Sequence, residues 1–230
     1  FSQWRSSWLS REAILAIVSL TLSSLYLGLI IFFEKRYAFL GIVSALSGFL
    51  TIYSTAMIYG QMKTVPRWNM RITPALFLLY GLIGSSAILM SFVVSAFLFS
   101  ILGLTQIYTW LHGDKKFGQE SHIGTATQLS ATGISVRMLE PPHTGANYLL
   151  KEMVHVVAQK HIFKLRWLAL ICSAIIPCAI SLGCFILDTE NNLIVFFIGL
   201  CHLSGTLISR WLFFSEAEHV VGLYYDRNQN

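Results

Sequence analysis

The apolar residues of this chain come in runs of about twenty, separated by short polar and charged punctuation. At 1.5 Å per residue, about 20 residues are needed to cross a bilayer as a helix. The pattern therefore predicts an all-α, polytopic transmembrane helical bundle. Spans are expected over residues 12–33, 38–59, 166–187 and 193–214. Each holds roughly 22 residues and reaches about 33 Å, enough for a hydrocarbon core of about 30 Å. Between Ile72 and His112 no charged residue occurs. One helix over that stretch would be about 60 Å long, twice the membrane. Two spans, 72–92 and 95–112, with a turn near Ser91 to Ser95, fit better.

Charge in the connections decides between five spans and six. With six, every lysine and arginine except Lys35, Arg36 and Arg210 falls on one side. The other side holds Lys35 and Arg36 together with acidic Asp188 and Glu190. This asymmetry is the positive-inside pattern, and it puts both visible ends in the cytoplasm. With five spans the basic loop after Trp110 would oppose the earlier basic loops, and the asymmetry would collapse. The whole chain, 1–230, reads as a single transmembrane domain, with residues 113–165 as a cytoplasmic loop. Within that loop Gly124 to Val136 is rich in Gly, Ser and Thr, and Pro141 and Pro142 break any helix. Asn147 to Phe163 suits an amphipathic helix, with Leu150, Val154, Val157 and His161 on one stripe. Such a helix lies in the membrane interface, docks a cytoplasmic partner, or does both. The polar opening Phe1 to Ser10 lacks the apolar core of a signal peptide and starts without methionine, so it is expected to continue a longer chain.

Composition supports the membrane reading. The 230 residues are 55% hydrophobic and 12% charged, with a mean hydropathy of +0.63. Soluble domains carry about 25% charged residues, so disorder, a nucleic-acid arm and an average cytosolic enzyme are excluded. The net charge of +5 bears on topology and lipid headgroups. The cysteines, Cys172, Cys178, Cys184 and Cys201, all fall within spans, and none forms the close pair that a cluster or zinc site needs. Only His202 lies mid-span, so paired axial haem ligands are not expected, and His202 reads as a buried, hydrogen-bonded residue. No GxSxG or phosphate-binding glycine loop occurs. What remains is a rim of ionisable and aromatic residues on the basic side. Glu12 opens the first span directly after Arg11, and Arg210 lies near the end of the last. Each has an ordinary explanation: an acid favoured at a helix N-terminus, and an arginine snorkelling to headgroups. Together they would instead line a polar pocket in which a carboxylate exchanges protons with a ligand at the interface. Trp4, Trp8, Trp68 and Tyr59 sit at the same level, as an aromatic belt or as walls for a flat ring.

Several ordered strings now carry a resemblance. They are Phe1-Ser-Gln-Trp-Arg-Ser-Ser-Trp-Leu-Ser-Arg-Glu12, Thr55-Ala-Met-Ile-Tyr59 with Thr64-Val-Pro-Arg-Trp68 and Thr73-Pro74, Leu139-Glu-Pro-Pro-His-Thr-Gly-Ala-Asn147, and Ile208-Ser-Arg-Trp-Leu-Phe-Phe214. The chain resembles, over essentially its whole length, the membrane-anchor subunit of dimethyl sulfoxide reductase-type molybdoenzymes. It is most similar to the branch found with membrane-bound sulfite dehydrogenases. The resemblance implies an eight-span bundle, with two spans and a pocket histidine upstream of Phe1. It implies an iron–sulfur subunit as direct partner and a molybdopterin catalytic subunit beyond it. Clusters and molybdopterin would sit on those partners, with no metal, haem or cluster in this chain. The anchor's own ligand would be a quinone, ubiquinone or menaquinone. Glu12 matches the family's acidic residue at the Ser-Arg-Glu entrance, and Arg210 matches the arginine of the final span. Arg5, Arg11, Trp8 and Tyr59 join them as quinone-site candidates by proximity. Partner-docking candidates are Arg67, Trp68, Pro141, Pro142, His143 and Lys151.

The function expected is a quinone-reactive anchor in a bacterial inner membrane, embedded in lipid and without nucleic-acid contacts. It carries no catalysis of the substrate half-reaction, and passes electrons from cytoplasmic sulfite oxidation to the quinone pool. The same pocket run in reverse would serve a sulfoxide reductase. A transporter is the alternative from another class, but transporters show repeated halves and mid-membrane charges. A purely structural anchor is the third.

Overall fold

The computed structural model describes residues 3–89, 91–120, 156–189, 191–217 and 220. All regular structure among these residues is helical: α1 Trp8–Phe33, α2 Ala38–Gly60, α3 Ile72–Leu89, α4 Phe92–Glu120, α5 Val156–Leu170, α6 Ile176–Ile186 and α7 Asn192–Ser215. A π-helical turn, Ile171–Ile175, joins α5 to α6. Among the described residues five helical stretches are long and apolar enough to cross a bilayer: Trp8–Phe33, Ala38–Gly60, Phe92–Lys116, His161–Ile186 and Asn192–Ser215. The span expected over 72–92 is occupied by α3, whose 18 residues reach about 27 Å. Helix α3 ends at Leu89 and α4 begins at Phe92, beside the turn expected near Ser91 to Ser95. Ser95 donates its hydroxyl to the Ser86 carbonyl across it, at 3.0 Å. Helix α4 runs to Glu120 and α5 begins at Val156, so both extend into what the pattern assigns to the loop. Residues 156–163, the last part of the expected amphipathic stretch, form the first turns of α5, continuous with the span. The Gly/Ser/Thr-rich segment, Pro141 and Pro142 lie outside the described residues.

The chain divides into two compact units. The first comprises residues 1–61 and 71–81, and its framework is the α1–α2 hairpin. Glu34 closes α1 in the left-handed conformation (φ 55°), and its N–H bonds the Ile30 carbonyl, the usual C-terminal device of helices. The hairpin keeps a constant antiparallel register. Tyr26 faces Gly41, the Ser23 and Ser44 hydroxyls meet at 2.8 Å, Ser19 faces Gly48, and Thr55 faces Glu12. In lipid, helices gain nothing from hiding apolar surface from each other, so small residues and side-chain hydrogen bonds bring them together. A Cβ on Gly41 would lie 3.0 Å from the Tyr26 ring, and the glycine is what lets that ring seat. No α1 residue is buried within the chain, as befits a helix apolar all round and meant for lipid or another subunit. The start of α3 adds to this unit through Pro74 against Gly60 and Phe77 stacked on Tyr59 at 6.1 Å.

The second unit comprises residues 62–70 and 82–230. Its described core holds Phe99, Leu102, Ile198 and Leu212, all essentially inaccessible, interleaved with Ser95, Ser173 and Ser181. Helix α7 approaches the π turn so closely that a Cβ on Gly205 would lie 2.2 Å from the Ser173 nitrogen. The cause is Pro177. It has no N–H to offer the carbonyl four residues back, that of Ser173, and so breaks the ladder. The His202 ring nitrogen Nδ1 takes that carbonyl at 2.9 Å, and the Ser173 hydroxyl pairs with the Gln106 amide at 3.1 Å. Phe99 packs edge-on against His202 at 5.4 Å.

Candidate functional site

Two clusters gather the residues singled out above, one in each unit. In the first, Arg11 and Glu12 stand on the opening turns of α1 and Thr55 and Tyr59 on the closing turns of α2. Thr55 donates its hydroxyl to Glu12 Oε1 at 2.5 Å. Beside them Trp8 meets Tyr53 edge to face, with centroids 5.8 Å apart. The Arg11 guanidinium lies 4.4 Å over the Trp8 ring. Its Nε donates to the Trp4 carbonyl at 3.0 Å and its Nη2 to that of Arg5, which folds the segment before α1 back onto the helix start. Arg5 itself rests over Trp4. Tyr59 follows Thr55 by one turn on the same face and stacks on Phe77.

The half-buried Glu12 carboxyl accepts from one hydroxyl, and Trp8, Tyr53 and Arg11 gather at the same end of the hairpin. A flat apolar ring carrying polar oxygens needs aromatic walls and one exchangeable proton. The donor set present, Glu12 and Thr55 with Trp8 and Tyr53, fits such a ligand.

In the second unit four charged residues from four segments interlock. Arg67 lies in the 62–70 connection, Asp114 on α4, Arg166 on α5 and Glu216 just past α7. Arg67 Nη1 donates to Glu216 Oε2 at 2.8 Å, and its Nη2 pairs with Asp114. Arg166 Nε donates to Glu216 Oε1 at 2.7 Å, while its Nη1 and Nη2 fork onto Asp114, each at 2.7 Å. The Glu216 side chain is 3% exposed and that of Asp114 42%. Two cations and two anions, paired and doubly hydrogen-bonded, meet the condition for ions out of water. Next to them Trp68 stacks on Phe213 at 5.3 Å and donates its indole N–H to the Phe213 carbonyl at 2.8 Å. Arg210 lies 5.3 Å from the same Phe213 ring.

The structure therefore brings Glu12, Arg11, Arg5, Trp8 and Tyr59 into one unit and places Arg210 in the other, with Arg67 and Trp68. The guanidinium of Arg67 and the indole of Trp68 are both engaged within the chain. Pro141, Pro142, His143 and Lys151 lie outside the described residues. His202 is 6% exposed and hydrogen-bonded, matching its expected role. Sequence reasoning missed Thr55 as the partner of Glu12, and it missed the pairing of Arg166 with Asp114. The spacing of small residues on α1 and α2 was a signal for the first; nothing local signals the second. Among the described residues no group of three or more His, Cys, Asp or Glu is placed to hold a metal ion.

A lipid-spanning helical scaffold with a charged rim and a carboxyl at a span entrance belongs to the class of membrane-anchor proteins. The chain is a member of the DMSO reductase anchor subunit (DmsC) family, which matches it over residues 2–215. Among characterised relatives, a subunit of the sulfite dehydrogenase of Allochromatium vinosum is 26% identical over 254 residues, covering 97% of this chain and 75% of that protein. No solved structure matches the chain.

Proposed function

We propose that this chain is the quinone-reactive membrane anchor of a molybdopterin and iron–sulfur oxidoreductase complex. It would pass electrons from cytoplasmic sulfite oxidation to the quinone pool of a bacterial inner membrane. Family membership over nearly the whole chain supports the anchor role. The observation that carries the quinone reading is the Thr55–Glu12 hydrogen bond at the mouth of the α1–α2 hairpin. A bound quinone supplies a two-electron, two-proton acceptor. Glu12 would hold the proton and hand it over at the ligand's carbonyl, with Thr55 fixing the carboxyl's orientation. Trp8 and Tyr53 would bound the ring. The iron–sulfur partner would dock through the basic loops, with Arg67, Trp68, Pro141, Pro142, His143 and Lys151 as the candidate residues. The name of the Allochromatium relative favours sulfite as the electron source. The family's description favours the reverse flow, from quinol to a sulfoxide, through the same residues.

The test is Glu12→Gln in the assembled complex. General acid–base catalysis contributes about 10²–10⁴-fold, so quinone-linked turnover is expected to fall at least about a hundredfold while dye-linked turnover at the molybdopterin partner stays normal. Normal turnover in both assays would remove Glu12 from the pathway and leave a purely structural anchor.

A further inference from the structure

We infer that the groove between α4 and α5 binds an anionic diacyl phospholipid. The groove encloses about 310 Å³ and is lined by Ile107, Trp110, Leu111, Phe163, Trp167 and Leu170, with the stem of Arg166 beside them. Leu111 is 60% exposed and Phe163 73%, so no described residue covers it. Its lining is carbon almost throughout, and this decides what it can hold. Arg166 is the one ionic group among the described lining residues, and its Nε, Nη1 and Nη2 are all given to Asp114 and Glu216. It offers almost no polar surface to the two carbonyl acceptors of a redox ring, whereas an acyl chain needs none. The two helices also grade along their length in the way a lipid does. On α4 the order toward the rim is Ile107, Leu111, Lys115. On α5, running the other way, it is Leu170, Trp167, then Lys164 and His161. Apolar walls thus end on both sides in exposed cationic or titratable side chains. The two acids bound to Arg166, Asp114 and Glu216, are each also paired with Arg67. Trp110, Trp167 and the stacked Tyr108–His112 pair mark headgroup depth. A lipid phosphate at that depth meets Lys115 and Lys164, with a stretch of one acyl chain in the groove. The inference does not depend on the quinone reading.

The experiment is native mass spectrometry of the detergent-purified complex, titrated with phosphatidylglycerol or phosphatidylcholine. Phosphatidylglycerol is expected to be retained and phosphatidylcholine to be lost. Lys115→Gln with Lys164→Gln should weaken retention about 25-fold, since each lysine near a membrane surface is worth about a factor of five. Leu111→Trp, which fills the groove and keeps both lysines, should abolish it. Should Leu111→Trp assemble poorly, the lysine pair, both exposed, carries the test alone. Equal retention of phosphatidylcholine, or unchanged phosphatidylglycerol in the lysine variant, would overturn the assignment. So would a quinone, rather than a lipid, displaced by Leu111→Trp.

Discussion

Pro177 shows how one residue sets its surroundings. By withholding an N–H it strands the Ser173 carbonyl in the middle of a span, where water is absent and an unmet acceptor is costly. His202 meets it from the neighbouring helix. That bond makes Nδ1 the protonated nitrogen and requires α7 to come close, which is why Gly205 stands opposite Ser173. His202→Ala leaves the carbonyl bare and a void beside Phe99. We expect a loss of about 1–3 kcal/mol from the unmet acceptor alone, read as a lower thermal midpoint of the purified protein. His202→Asn, which keeps a donor, should recover part of it. An unchanged midpoint in the alanine variant would show that Ser173 finds another partner. The sequence made His202 legible as a buried mid-span histidine, while Pro177 drew no notice inside the expected span 166–187. It could not show that the two meet through Ser173, because 29 positions separate Ser173 from His202 and only folding brings them together.

At the scale of the helices, the charged quartet fastens one end of the second unit. The 62–70 connection, α4, α5 and the end of α7 each contribute one member. Breaking a buried ion pair costs about 3–5 kcal/mol because a charge is left unpaired. Arg67 would still face both acids, so Arg166→Met is expected at the lower end, roughly 3 kcal/mol. Asp114→Asn should cost less, since that side chain is 42% exposed and water shares its solvation. The check is thermal unfolding of both variants in the same detergent; equal losses would contradict the account. The helices themselves were legible. Five of the expected spans coincide with helices long enough to cross, because run length alone predicts them. The quartet was not legible. Arg67 read in sequence as a docking candidate and Arg166 as a charge useful for counting sidedness, and nothing in the sequence signalled their pairing with Asp114 and Glu216. The α3–α4 boundary was located to within a few residues because an uncharged stretch of that length cannot remain one helix. Its serine hydrogen bond from Ser95 to Ser86 left no composition signal.

For the molecule as a whole, the charge distribution along the sequence proposes an orientation, with the basic loops facing the cytoplasm. A reporter active only outside the cytoplasm, fused after Asn230, is expected to be silent. Activity there would invert the topology and put the partners on the other face. The central claim, that this chain is an anchor lending a redox partner access to a membrane-dissolved carrier, is tested most directly by what travels with it. The tagged chain should be isolated from native membranes in mild detergent and its companions analysed for metals and quinone reduction. The account predicts one companion with cysteine-ligated clusters, one with molybdenum, and quinone reduction by the assembly. Isolation of the chain free of metal-bearing companions and of any bound quinone would contradict it.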